Sequence, residues 1–182
     1  MTAAGRALLF AVLLGLNTAH SPSRAAETRL IDQFGRPLDS HQLQGRWLLV
    51  YFGYASCKEI CPAALTAMSA LLERLGPLAD SIEPLFVTLD PAHDSPEIMR
   101  AFIAHFDPRI RALTGTPESV AEAARAFDVP WRRSAAADVA DHGTLFYVVA
   151  PDGRVVQILH PQQPVADLLA AVRGRLSTRA AR

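Results

Sequence analysis

Two cysteines carry the strongest chemical signal in the sequence. Cys57 and Cys61 are its only cysteines, separated by three residues, and they stand just before Pro62 at the start of a predicted helix. Two thiols at this spacing can point the same way, and a thiolate is both a redox nucleophile and a soft metal ligand. Cys61 is predicted at the helix N-terminus, where the dipole and free N–H groups favour a thiolate, and Lys58 adds positive charge. The alternative is an inert disulfide, but a bridge across so short a loop removes little chain entropy, which favours a functional pair.

Two thiolates leave most metal sites incomplete. Structural zinc is held by four ligands, whereas Cu(I) accepts two or three soft ones, so a histidine is the natural third candidate. His142 lies directly before a predicted strand, and it would face the cysteine loop if that strand runs antiparallel to the cysteine strand; Asp141 could orient its ring. From the residues alone, a metal-ligating His142 and an ordinary loop histidine bonded to backbone both remain open. The other histidines are interpreted as one residue of the N-terminal segment, His20, and four surface or loop residues, His41, His93, His105 and His160.

Alternating strand and helix patterns must position these residues. The continuous apolar run at 47–52 is typical of a strand buried on both faces, and the cysteines follow it. Further strands are predicted at 83–89, 110–113, 144–149 and 155–159, helices at 63–75, 94–106, 116–127 and 164–176, and a hairpin turn at 32–37. This order predicts an α/β three-layer sandwich with a mixed central sheet and an N-terminal β-hairpin extension. Binding sites in such folds lie at the carboxyl ends of the parallel strands, where the cysteines are.

The N-terminal segment has the pattern of an export signal. Residues 1–25 contain Arg6, an apolar run at 7–16 and small residues before a cleavage point after Ala25, which predicts a secretory signal peptide. An uncleaved anchor is the alternative, although the run falls well short of the ~20 residues that span a bilayer. Residues 26–176 are predicted to form one domain and residues 177–182 a frayed tail. We therefore expect a periplasmic protein, exported or anchored to the inner membrane facing the periplasm, with membrane contact through this segment alone.

Composition excludes several classes of protein. The 182 residues contain 18 Lys+Arg and 18 Asp+Glu, with a pI near 7.0, so there is no basic surface for nucleic acid. The chain is 50% hydrophobic and 20% charged, which argues against disorder. A monomeric globular domain is expected.

A series of motifs resembles one known family. In chain order they are Phe52-Gly53-Tyr54, Cys57-x-x-x-Cys61-Pro62, the segment VTLDPAHDSP at 87–96, LTGT at 113–116, Asp141-His142 and YVVAPDG at 147–153. Together, over about residues 28–172, they resemble the SCO/SenC family. The resemblance implies a thioredoxin-like fold, a role in cytochrome c oxidase assembly, and copper held as Cu(I), with Cu(II) also open, by Cys57, Cys61 and His142. It also implies that the two cysteines can form a redox disulfide.

Three positions depart from the family pattern. Lys58-Glu59 stand where the family usually has Pro-Asp, and the added charge could weaken Cu(II) binding or tune a thiol pKa. Gly143 follows the histidine where Ser or Thr is common, and the loop at 130–140 is shorter and less acidic. These differences leave the three ligands in place, but they bear on partner recognition, which surface loops usually carry. Tyr54 and Trp131 could edge a partner interface or simply pack.

Four functions compete at the level of sequence. The first is a copper metallochaperone that serves the Cu_A subunit of cytochrome c oxidase or another copper chaperone. The second is a thiol-disulfide reductase in which Cys57 attacks and Cys61 resolves, keeping the oxidase-subunit cysteines reduced; a thioredoxin, however, would have a proline where Gly143 stands. A thiol peroxidase would need a threonine three residues before its cysteine, and Tyr54 and Lys58 occupy those places. An inert thioredoxin-like binding module would not need the Cys-Cys-His set, and whether the chain is an enzyme stays open.

Overall fold

The cysteine strand is the centre of the molecule. The computed structural model describes residues 30–38, 40–129 and 144–180. In chain order its elements are β1 (Leu30–Asp32), β2 (Pro37–Leu38), a 3-10 helix (Ser40–Leu43), β3 (Trp47–Gly53), α1 (Ile60–Leu75), a 3-10 helix (Gly76–Ser81), β4 (Ile82–Thr88), α2 (Pro96–Ile103), β5 (Arg111–Gly115), α3 (Pro117–Ala126), β6 (Phe146–Val149), β7 (Val155–Leu159) and α4 (Val165–Ala180). All seven residues of β3 are buried, as the apolar run predicts.

One mixed sheet contains all seven strands, in the order β2-β1-β5-β4-β3-β6-β7. Strands β3, β4 and β5 are parallel, so their carboxyl ends share one edge. Strand β6 is antiparallel to β3, with Tyr51 opposite Phe146, which places its start beside the end of the cysteine strand. Strands β1 and β2 form a hairpin that extends the opposite side of the sheet through β5. The predicted mixed sheet and N-terminal hairpin are confirmed, and β6 meets the condition of running antiparallel to the cysteine strand.

Helices cover both faces of the sheet. Alternate residues of β3 point to opposite faces: Leu49 and Tyr51 pack in one cluster with side chains of α1, α2 and α4. Val50 and Phe52 pack in the other cluster with side chains of α3. Each fully buried large apolar side chain stabilises the fold by roughly 1.5–3 kcal/mol relative to an exposed one. The helices packed on the two faces and the sheet between them form the predicted three layers. Packing on both faces holds β3 in place, and the cysteine loop follows directly from its end.

Helix ends follow the capping residues in the sequence. Ser95 accepts a hydrogen bond from the Ile98 N–H and begins α2, and Thr116 accepts one from Ser119 and begins α3. Helix α2 ends at Ile103 rather than at residue 106, because the Phe106 N–H bonds the Ile103 carbonyl in a tighter turn.

Two helices are longer than their patterns indicate. Helix α1 begins at Ile60, and α4 continues to Ala180, into the segment predicted to fray. The predicted signal peptide and most of the loop predicted after Val129 lie outside the described residues. Within the described ranges, no helix combines the length and the apolar character that crossing a membrane requires.

Candidate metal centre

The two cysteines lie at the junction of β3 and α1. The chain leaves β3 at Gly53, turns through a Cys57 N–H to Tyr54 carbonyl bond of 3.3 Å and enters α1 at Ile60. The Sγ of Cys57 accepts the Cys61 backbone N–H at 3.3 Å, which seats this sulfur over the first turn of the helix. Cys57 is partly exposed, Cys61 is fully buried, and both are free thiols. The structure therefore brings the two predicted thiols together with one facing solvent.

The helix terminus acts on Cys57. Burial opposes ionisation of this thiol, but hydrogen bonds from Cys61 and from the backbone of Glu59 and Ile60 outweigh it, so the pKa of Cys57 lies below its usual value. The prediction that the helix N-terminus favours a thiolate at Cys61 is wrong. The free N–H groups there point to the preceding sulfur, because Cys61 itself turns into the core.

Burial dominates the environment of Cys61. It raises the pKa of this thiol to about 12, although the Tyr54 backbone and the Tyr51 hydroxyl favour the anion. The Tyr51 hydroxyl donates to Cys61 Sγ at 3.6 Å. The pair thus combines a thiol that ionises more readily than an ordinary cysteine with one that keeps its proton at neutral pH until a metal or a disulfide replaces it.

Gly53 makes room for the Cys61 sulfur. A Cβ at this position would lie 2.7 Å from Cys61 Sγ and 3.0 Å from the Phe86 ring. Both distances are too short for ordinary packing, so the close approach of strand and sulfur requires glycine. Gly53 appeared in the sequence only as part of a family motif; no pattern assigned it this role.

Asp94 ties the loops of this sheet edge together. Its Oδ2 accepts the Ala55 N–H at 3.1 Å and the Thr88 hydroxyl at 2.5 Å. Its backbone carbonyl accepts the Thr114 hydroxyl at 2.8 Å. Asp94 is 2% exposed, and burial raises the pKa of its carboxyl. Asp94 thereby connects the loop that carries Cys57 to the ends of β4 and β5. Sequence reasoning missed this role, because the bond to Ala55 joins segments that lie 39 residues apart.

The remaining predicted residues fall into two groups. His142, Asp141, Gly143 and Trp131 lie outside the described residues. Among the described residues, Lys58 and Glu59 are exposed next to the cysteines, and Tyr54 is partly exposed. The Nδ1 of exposed His93 lies 2.8 Å from Oδ2 of Asp90. His105 and His160 are also exposed, and His41 lies in the first 3-10 helix.

The start of β6 approaches the cysteine helix. Thr144 lines a small cavity together with Ile60, Ala63 and His160. Across residues 30–38, 40–129 and 144–180, no group of three His, Cys, Asp or Glu side chains is placed to hold a metal ion. The two sulfurs suit a soft metal ion.

Comparisons with known proteins agree with this arrangement. The SCO1/SenC family model matches residues 18–177. Protein sco1 of Schizosaccharomyces pombe is 30% identical over 164 residues, which cover 86% of this chain and 62% of that protein. A SCO2-like protein of Rickettsia typhi is 32% identical over 149 residues, 79% of this chain and 73% of that protein.

A solved structure matches the fold described above. The structure of Bradyrhizobium japonicum ScoI with copper bound superposes with a TM-score of 0.72 at 29% identity, covering 80% of this chain and 94% of that one. The predicted thioredoxin-like fold is thereby confirmed. The chain spans less than two thirds of the length of the fission-yeast relative.

Proposed function

Because the chain belongs to the SCO1/SenC family, we propose that it is a copper metallochaperone serving cytochrome c oxidase assembly. It holds copper through Cys57, Cys61 and His142 and delivers it to the Cu_A site of an oxidase subunit, or exchanges it with another copper chaperone. The observation that carries the proposal is the convergence of the two thiols at the edge where β3 meets α1, with the Cys61 N–H on Cys57 Sγ at 3.3 Å. A related chain of the same fold has been solved with copper bound.

The position of β6 supports His142 as the third ligand. This strand runs antiparallel to β3, and Thr144, two residues after His142, lines a cavity with Ile60, the neighbour of Cys61. The start of β6 therefore lies at the sheet edge that carries the cysteines. Imidazole nitrogen completes a three-coordinate set that a dithiol alone leaves open.

The unequal thiols suit capture and release of copper by ligand exchange. Cys57 is partly exposed and its pKa is lowered, so it is the sulfur that an incoming thiolate of a partner can replace first. Cys61 lies deeper, and its proton must leave when copper binds, so affinity rises with pH. The mature domain would act as a monomer in the periplasm, with residues 1–25 as the export or anchoring segment.

Thiol-disulfide reduction is the second candidate. The observation in its favour is the same inequality: an accessible thiol of lowered pKa beside a buried one is what an attacking and a resolving cysteine need. The family relationship and the soft ligand set favour copper binding as the main function.

A Cu(I) competition titration of the reduced protein tests the proposal. We expect one tightly bound copper per chain, clearly weakened in His142→Ala and unchanged in His105→Ala, which removes an exposed histidine. Binding that is indifferent to His142 would contradict the three-ligand site. Thiol-disulfide reduction would then become the favoured function, and the reduction potential of the Cys57–Cys61 pair would be the next quantity to measure.

A further inference from the structure

We propose that the Tyr51 hydroxyl is a positioning residue for the copper site: its hydrogen bond to Cys61 Sγ weakens the electron donation of that sulfur and favours Cu(I) over Cu(II). This inference rests on the proposed function for its copper readouts. It also makes a prediction for the metal-free protein that does not depend on copper.

The Tyr51 ring is fixed by its neighbours. Tyr51 is 0% exposed in the middle of β3. Its ring stacks on Phe86 with centroids 6.0 Å apart and meets the edge of Phe146 at 5.6 Å. Aromatic contacts on two sides hold the ring in one orientation, and the hydroxyl at its tip is carried with it.

The hydroxyl reaches the cysteine site from inside the core. It donates to Cys61 Sγ at 3.6 Å, while the ring that carries it packs among the hydrophobic side chains of the core cluster. A buried hydroxyl without a hydrogen-bond partner is unfavourable, and Cys61 Sγ provides that partner for the Tyr51 hydroxyl. A phenylalanine at this position would have no hydroxyl to satisfy. The aromatic ring of Tyr51 makes the packing contacts, whereas its hydroxyl makes the hydrogen bond to Cys61 Sγ.

A metal on Cys61 would strengthen this contact. Once the proton of Cys61 is displaced, its sulfur carries negative charge, and hydrogen bonds to charged groups are stronger than neutral ones. Cu(I) leaves more of that charge on the sulfur than Cu(II) does, so the bond stabilises the Cu(I) form more. Hydrogen bonding around a ligating cysteine sulfur is a known means of tuning a copper potential.

Tyr51→Phe removes the hydroxyl and keeps the ring. The matched control is Tyr147→Phe, the same change at another buried tyrosine, 2% exposed, in the cluster on the opposite face of the sheet. In the reduced, metal-free protein we expect the S–H stretching band of Cys61, assigned with Cys61→Ser, to shift in Tyr51→Phe and to stay in place in Tyr147→Phe.

The copper-loaded protein gives the second readout. In Tyr51→Phe the ratio of Cu(I) to Cu(II) affinity should fall about tenfold, the size expected for one hydrogen bond to a charged group. The sulfur-to-Cu(II) charge-transfer band should move to lower energy. Tyr147→Phe should leave both unchanged.

The outcomes separate this inference from the proposed function. An unshifted S–H band in Tyr51→Phe would overturn the hydrogen bond itself. A shifted band with an unchanged affinity ratio would overturn the tuning role. A protein that binds no copper but shows the S–H shift would contradict the proposed function and the tuning role, while the hydrogen bond would stand.

Discussion

The site has a mouth and a floor, and the two differ in what holds them. The mouth is Cys57 and the loop 54–59, held by backbone N–H groups and by the bond from Ala55 to Asp94. The floor is Cys61 with Tyr51 and Gly53, held by core packing. Both sulfurs lie beside the start of α1, yet the free N–H groups of this helix start stabilise a thiolate only at Cys57. Which sulfur receives a helix N–H therefore depends on which way each side chain turns, and this cannot be inferred from proximity to the helix start.

Thiol reactivity should show the largest difference between mouth and floor. In the reduced, metal-free protein, iodoacetamide should modify Cys57 more than about 10³-fold faster than Cys61 at neutral pH, because each unit of pKa changes the thiolate fraction about tenfold. Burial raises the pKa of Cys61 to about 12, whereas that of Cys57 lies below its usual value. Peptide mass spectrometry over time measures both rates. The Cys57 rate should rise with pH and level off below the usual thiol pKa.

Comparable rates for the two cysteines would remove the distinction between mouth and floor. Cys57→Ser supplies the control, since the slow reaction at Cys61 must persist when the faster competitor is absent.

Gly53→Ala should disturb the floor and spare the mouth. The added methyl group would meet Cys61 Sγ and Phe86, so we expect a loss of about 1–3 kcal/mol in the free energy of unfolding, as for overpacked cores. Copper affinity should fall as well, while the Cys57 alkylation rate stays within about twofold. Chemical denaturation and Cu(I) competition measure the first two quantities.

Gly174→Ala is the matched control for that change. A Cβ at Gly174 meets nothing within 4 Å, and the residue lies inside α4. Alanine is favoured over glycine in a helix by about 1 kcal/mol, so this variant should be slightly stabilised and bind copper normally. If Gly53→Ala behaved like Gly174→Ala, the steric account of the floor would be wrong.

Replacing each sulfur by oxygen should separate the two regions again. Cys61→Ser replaces a fully buried thiol by a hydroxyl, which is more costly to remove from water, and should lower the free energy of unfolding of the reduced protein by about 1–3 kcal/mol. Cys57→Ser changes a partly exposed side chain and should stay within about 0.5 kcal/mol. Thermal or urea unfolding of the two variants in reductant gives the comparison. Equal losses would mean that Cys57 is packed as tightly as Cys61.

The sequence predicted the sheet well because its strands are distinct. The apolar run of β3, the helix starts near residues 94 and 116 and the hairpin turn at 32–37 are local signals, and the structure confirms them. Even the burial of Cys61 had a local signal, since Leu65 and Met68 follow it at four and seven residues, on the same helix face. That spacing outweighs the helix-terminus argument that placed the thiolate on Cys61.

Other parts of the site depend on contacts that are distant in sequence. Asp94 bonds Ala55 across 39 residues, and no pattern in either segment indicates the other. In a strand buried on both faces, apolar periodicity does not show which face a residue occupies, so the Tyr51 hydroxyl could not be assigned to Cys61. His142 stays a prediction, because it lies outside the described residues.

Asp94→Asn should give a small effect on stability whose pH dependence has a known sign. Burial raises the pKa of Asp94 in the folded protein, so the folded state holds this proton more tightly than the unfolded state. The wild type therefore loses stability as pH rises from the unfolded-state pKa through the raised folded one, since ionisation then occurs in a desolvated carboxyl. Asparagine keeps an oxygen for the Ala55 N–H and the Thr88 hydroxyl without ionising.

The stability of Asp94→Asn relative to wild type should thus improve by at most about 1 kcal/mol across that pH window, as read from urea unfolding at a series of pH values. Asp94→Ala is the informative contrast, because it leaves the Ala55 N–H and the Thr88 hydroxyl without their acceptor. It should loosen the loop that carries Cys57 and change the Cys57 alkylation rate, while the slow reaction of Cys61 persists. A change at Cys61 instead would mean that Asp94 holds the floor, and the division between a mouth set by hydrogen bonds and a floor set by packing would have to be redrawn.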